Sequence, residues 1–244
     1  MSGHWLAIDT ATGVASVAVG TPPSADSVTV IAGARSQAAQ IIELADRTLG
    51  AVGLRAADLA GLIVADGPGS FTGLRIGWAA AKGLAQERGL PIVAMPSLLA
   101  AATGAAAVLG PVPVAASFDA LRGQVFAAVY VVHAGRVETV VAPLTCTPDE
   151  LVARCSLRPR VAVGDGALRY ADAMERWTGT APLSLMSLQP AAVSLLALHP
   201  RSDAGRILAD AAVAEPEYGR PAEAQARWEA RHGRPLSHPS GSGS

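Results

Sequence analysis

The chain has 244 residues, half of them apolar, with a net charge of -1 and only 16% charged side chains. That length and apolar content suffice for one large domain or two lobes of about 100 residues each, and the charge balance leaves no basic footprint for nucleic acid. Two cysteines, Cys146 and Cys155, make neither a CxxC pair nor a disulfide framework, so a reduced cytoplasmic chain is expected.

The chain opens with an apolar run, Trp5-Leu6-Ala7-Ile8-Asp9, followed by a turn with Gly13 and a second run at 14–19. Asp9 interrupts the first run and no basic segment precedes it, which argues against a secretory signal. With a third run at 27–32, three short-looped strands predict an antiparallel meander. Ile41, Ile42, Leu44, Ala45 and Leu49 recur at the spacing of one helical face, predicting a helix over 36–51. A strand at 61–65 runs into Asp66-Gly67-Pro68-Gly69-Ser70-Phe71-Thr72-Gly73. A helix over 72–87, a strand at 92–95 and a Leu/Ala helix opened by Pro96-Ser97 follow. The stretch 89–118 carries no charge, but prolines cut it, and its longest unbroken piece, 97–110, is too short for a bilayer of about 30 Å.

The second half begins the same way. Strands are predicted at 112–117, 124–133 and 137–142, with Asp119 ending the first as Asp9 does, 110 residues earlier. We read this as an internal duplication. A helix at 148–154, a strand at 160–163, the turn Gly164-Asp165-Gly166 and helices at 167–177 and 191–198 complete it. Residues 201–214 can be helical, 225–232 can form a polar helix, and 237–244 have linker composition. The expected divisions are a first lobe at 1–110, a second at 111–215, and a polar tail at 216–244.

The glycine-rich segment from Gly67 to Gly77 is the strongest local signal. A turn of this kind leading into a helix N-terminus can hold an anion through Gly67, Gly69, Ser70, Thr72 and Gly73. It matches neither a Walker A loop nor a dinucleotide fingerprint. The alternative is a capped helix start, with Ser70 or Thr72 as N-cap. The helix beyond it has two stripes: Leu74, Trp78, Ala81 and Ala85; and Ile76, Ala80, Gly83 and Leu84. One stripe must face the home sheet; a Trp on the other would suit a partner, unless both are buried. Asp9 and Asp119 could serve phosphate–metal chemistry, but carboxylates bonded to their own turns are the favoured reading. The five histidines show no metal-binding spacing, and no Gly-x-Ser-x-Gly elbow is present, so neither a metal site nor hydrolase machinery is expected.

At residues 6–10, 67–77 and 81–85, and more loosely at 117–126, 163–167 and 216–220, the sequence resembles the TsaB (YeaZ) family. The resemblance implies an α/β fold of duplicated actin/hexokinase-like (ASKHA, ribonuclease H-like) lobes, with mixed sheets and flanking helices. It also implies a non-catalytic subunit of the tRNA threonylcarbamoyladenosine machinery. Such a subunit pairs with the paralogous TsaD transferase through helices of the first lobe, which nominates Ile41, Ile42, Leu74, Trp78, Ala81 and Ala85 as the interface. No cofactor is expected in this chain; ATP and a metal ion belong to TsaD and to a TsaE-like ATPase, and tRNA is met through the complex. Alone, the chain could pair with itself. The family's usual His-Ser at the entry to its first helix is replaced by Arg35-Ser36. The rivals are a small-molecule kinase of the same fold and a glycopeptidase-like hydrolase.

Overall fold

Alternation along the strands decides the layering. Trp5 and Ala7 point to one face of their strand, Leu6 and Ile8 to the other, and all four are buried. A strand buried on both faces needs cover on both sides. In the computed structural model, which describes residues 3–33, 37–86, 88–199 and 204–220, helices supply that cover.

The first half contains β1 (His4–Asp9), β2 (Val14–Gly20), β3 (Ser27–Ala32), α1 (Gln37–Gly50), β4 (Leu59–Gly67), α2 (Phe71–Gln86), β5 (Ile92–Pro96) and α3 (Ser97–Leu109). The second contains β6 (Pro113–Asp119), β7 (Val125–His133), β8 (Arg136–Cys146), α4 (Pro148–Arg154), β9 (Val161–Val163), α5 (Asp165–Arg169), α6 (Ala171–Thr178), α7 (Ala191–Leu198) and the short β10 (Arg206–Ile207). The first sheet runs β10-β5-β4-β1-β2-β3 and the second β8-β7-β6-β9. In both, the first strand pairs antiparallel with the second and parallel with the fourth. A lone bridge from Val163 to Leu183 stands where β5 stands in the first sheet. The repeat in strand order is the duplication read from the sequence, and it puts Asp9 and Asp119 at matching strand ends.

The layers alternate. Helices α1 and α2 cover one face of the first sheet through Ile41, Leu44, Leu49, Trp78 and Ala81. Helices α3 and α7 lie between the two sheets, in a core that joins Ala7 and Ile63 of the first to Ala116, Phe118 and Phe126 of the second. The outer face of the second sheet packs Leu151 and Met174 of α4 and α6. Helix α3 is buried from Ser97 to Ala105, as a charge-free helix sandwiched by two sheets must be. Each fully buried Leu, Ile or Phe contributes about 1.5–3 kcal/mol. Helix α4 starts with a reciprocal cap: Glu150 N–H donates to Thr147 Oγ1 at 3.3 Å and Thr147 N–H to Glu150 Oε2 at 2.8 Å. Among the described residues, no helix is long and apolar enough to cross a membrane.

Three sequence expectations need correction. Within 201–214, residues 201–203 lie outside the described residues, and the rest form no helix. Instead Arg206 and Ile207 add antiparallel to the edge of β5, where Arg206 reaches the buried carboxylate of Asp66 on β4, two strands over in the sheet. The single helix expected at 167–177 is two, α5 and α6, broken at Tyr170 (φ -112°, ψ 42°). Residues 216–220, expected to open the polar tail, instead pack on the fold, with Pro216 buried and Tyr218 half-buried against α2. The expectations for Arg35-Ser36, for the polar helix at 225–232 and for the linker at 237–244 lie outside the described residues.

Candidate functional site

The glycine-rich turn is built against the first β-hairpin. Ser70 N–H donates to the Ala11 carbonyl at 2.7 Å, and Thr10 Oγ1 donates to the Gly73 carbonyl at 2.7 Å. Ser70 caps α2: its hydroxyl accepts from Gly73 N–H at 3.2 Å and its carbonyl from Leu74 N–H at 2.8 Å. Gly69, Gly73 and Gly77 are spaced by four, so they share one face. A Cβ there would run into the Ala11 carbonyl oxygen, the Thr10 carbonyl oxygen and Thr10 Oγ1 respectively. The three glycines are explained by the close seat of this hairpin on α2. Gly67 (φ 109°) faces the Glu217 carbonyl, and Thr72 is exposed. This geometry is that of a capped helix start in which the Ser70, Gly73 and Leu74 amides are engaged by protein oxygens.

The nominated partner surface divides. Leu74, Trp78, Ala81 and Ala85 are all at most 4% exposed, and Ile41 is 2% exposed. Trp78 Nε1 donates to the Ala65 carbonyl of β4 at 3.1 Å. These five residues hold α1 and α2 to the sheet and present no contact surface; only Ile42, 44% exposed, looks outward as nominated. The correction follows from the hairpin. Once Gly69, Gly73 and Gly77 are pinned under Thr10 and Ala11, the Trp78 stripe turns onto the sheet and the opposite side faces out. That outward side carries Thr72, Ala79, Gly83 and Gln86, flanked by Ile76. A Cβ on Gly83 meets nothing within 4 Å.

The two matching aspartates differ in surroundings. Asp9 is 4% exposed, accepts one long bond from Ala11 N–H at 3.4 Å, and is pushed up to about 7 by burial. Asp119 accepts from Leu121 N–H at 2.9 Å and pairs with Arg169 at 3.3 Å. Both thus bond the amide two residues on, the turn-bonded arrangement favoured above. Asp165, beside Asp119, takes the Asp119 and Gly166 amides at 3.2 and 3.0 Å, and burial raises it. Among the described residues no cluster of three His, Cys, Asp or Glu is arranged to hold a metal.

Sequence reasoning missed the Asp66–Arg206 pair. Asp66 is 6% exposed, and Arg206 donates to both of its oxygens at 2.8 Å. It also missed Arg75, whose Nε donates to Tyr218 Oη at 3.0 Å over the Phe71 ring. Pro216-Glu217-Tyr218-Gly219-Arg220, quoted above as part of the family resemblance, was the available signal.

Duplicated sheets with a hairpin seated on a glycine-rich helix start define a protein of the actin/hexokinase-like class. A family model described as "TsaD: tRNA N6-adenosine threonylcarbamoyltransferase" matches residues 31–214. A Bacillus subtilis protein named tRNA threonylcarbamoyladenosine biosynthesis protein TsaB is 33% identical over 184 residues, covering 70% of this chain and 74% of its own. The Escherichia coli protein of the same name is 34% identical over 144 residues, covering 57% of this chain and 62% of its own, under two thirds of that relative's length. The solved structure of YeaZ from Pseudomonas aeruginosa superposes with a TM-score of 0.71 at 26% identity, over 89% of this chain and 100% of that one. The chain belongs to the TsaB (YeaZ) family of tRNA threonylcarbamoyladenosine biosynthesis proteins.

Proposed function

We propose that this chain is a non-catalytic subunit that binds and supports a TsaD-type threonylcarbamoyltransferase in the cytoplasm. The first lobe, 1–110, provides the partner face and the second, 111–215, completes the fold. ATP and a metal ion belong to the transferase and to a TsaE-like ATPase, tRNA is engaged through the complex, and in the partner's absence the same face pairs two copies of this chain.

The observation that supports this reading is Gly83. A glycine inside a helix costs about 1 kcal/mol relative to Ala. Gly73 and Gly77 are required by the hairpin, but among the described residues a Cβ on Gly83 meets nothing within 4 Å. Together with exposed Thr72 and Ala79 it leaves a shallow helix face over which a second helix can pass at close range. The partner role nominated for the Trp78 stripe is here assigned to this outward stripe.

The test is size-exclusion chromatography with light scattering on this chain mixed with the TsaD homologue of the same organism, alongside tRNA threonylcarbamoylation. A one-to-one complex whose modification activity disappears when this chain is omitted is expected. Gly83→Arg and Ala79→Arg should abolish the complex without lowering the melting temperature. Wild-type affinity in both variants would remove the face assignment. No complex, with ATP turnover by this chain alone, would overturn the subunit reading.

A further inference from the structure

Residues 204–220 form a strap that leaves the edge of the first sheet, crosses α2 and ends on the second sheet. Its first part is held by β10 on β5 and by Arg206, which donates to Asp66 and, at 2.6 Å, to the Glu215 carbonyl. Lys82 of α2 donates to the Ala214 carbonyl at 2.7 Å and to the Ala212 carbonyl at 3.3 Å. Glu217 N–H then donates to the Asp66 carbonyl at 2.7 Å, and Arg75 of α2 holds Tyr218.

The far end changes sheets. Gly219 (φ 72°) is wedged where a Cβ would lie 2.7 Å from Pro68 and 2.8 Å from Phe126 of β7. Its carbonyl accepts from Thr145 Oγ1 of β8 at 3.2 Å, and Arg220 donates to the Ala120 carbonyl. Under the strap lies a cavity of about 300 Å³, bordered by Asp66, Pro68, Pro96, Leu98, Phe126 and Leu144, with Glu217 and Gly219 as its outer wall.

Arg75 and Lys82 are seven residues apart, so they share one line along α2, immediately beside the outward stripe of Ala79, Gly83 and Gln86. From this placement we infer that the strap is a latch that couples the partner face of α2 to the junction between the two sheets. The inference rests on the α2 face being the partner site. A partner lying on that face excludes water from the Arg75–Tyr218 and Lys82–Ala214 hydrogen bonds and strengthens them. The strap then tightens on Gly219 and on the outer wall of the cavity beneath it. By reciprocity, a strap weakened at its far end lowers affinity for a partner it never touches.

Amide hydrogen exchange on the full chain, with one variant at each end, tests the latch. Tyr218→Phe removes the acceptor at the α2 end, and Thr145→Val removes the donor at the second-sheet end; both residues are half-buried and both changes keep the shape of the side chain. Loss of one hydrogen bond changes a local opening equilibrium about fivefold. In the chain alone, Tyr218→Phe should speed exchange about fivefold at residues 119–126 of the second sheet, and Thr145→Val should do the same at the Glu217 amide. Acceleration confined to the mutated end in both variants overturns the latch. Adding the TsaD homologue should slow exchange across 206–220, and unchanged exchange there in a formed complex refutes the coupling. Failure of the complex to form is a separate result, against the proposed function, and the chain-alone comparison still decides whether the strap links the sheets.

Discussion

Replacing Asp9 by Asn should stabilise this protein at neutral and alkaline pH and leave it nearly unchanged in acid. Asp9 sits at the end of β1 with one weak hydrogen bond and almost no exposure. Burial raises it from 3.8 to about 7 in the folded chain. Because the folded pKa is the higher one, the folded state keeps a proton that the unfolded chain releases near 3.8. Stability therefore carries no penalty below that value, falls as the pH rises towards 7, and levels off above it. The gap corresponds to roughly 4 kcal/mol at pH 8. Asn keeps the acceptor for Ala11 N–H, and its amide has room in the cavity of about 90 Å³ bordered by Asp9, Ser16, Met186 and Gln189. Urea unfolding of wild type and Asp9→Asn at pH 5, 6, 7 and 8 isolates the effect, since every other titrating group is common to both. The difference should be about 1–2 kcal/mol at pH 5 and grow to roughly 4 kcal/mol at pH 8. Parallel curves over that range would refute the burial argument.

Two glycines of α2 should respond in opposite directions. Gly77→Ala forces a methyl against Thr10 Oγ1 and should cost about 1–3 kcal/mol, whereas Gly83→Ala points into open space and should gain about 1 kcal/mol, both read from thermal or urea midpoints. Thr147→Ala removes the acceptor half of the α4 cap and should cost about 1 kcal/mol, with fraying at Asp149 and Glu150 visible in amide exchange.

The duplication was legible because each half opens with an apolar run that ends at an aspartate before a glycine-containing turn into a second strand, an order that survives when sequence similarity does not. The structure sorts the two faces of those runs alike: Leu6 and Ile8 against Trp5 and Ala7 repeat as Ala115 against Val114 and Ala116. The stripes of α2 were legible too, but their direction was not. Periodicity shows that Leu74, Trp78, Ala81 and Ala85 align; only the hairpin seated on Gly69, Gly73 and Gly77 decides that they turn inward. Residues 204–220 were opaque for another reason. Two residues of strand have no period, and the force that places them is a charge pair 140 positions apart, between Arg206 and Asp66. Contacts that distant leave no mark on local composition.

A phosphate at a helix N-terminus comes and goes with its concentration, and whatever it braces is firm only when the metabolite is abundant. In this chain the Ala11 carbonyl takes the Ser70 amide at that place, and the Thr10 hydroxyl donates to the Gly73 carbonyl beside it. They are tethered to the same polypeptide, so no dilution removes them. The first hairpin and α2 should accordingly remain one rigid body whether the cell is rich or starved in nucleotides, which frees the outward face of that helix from metabolic supply.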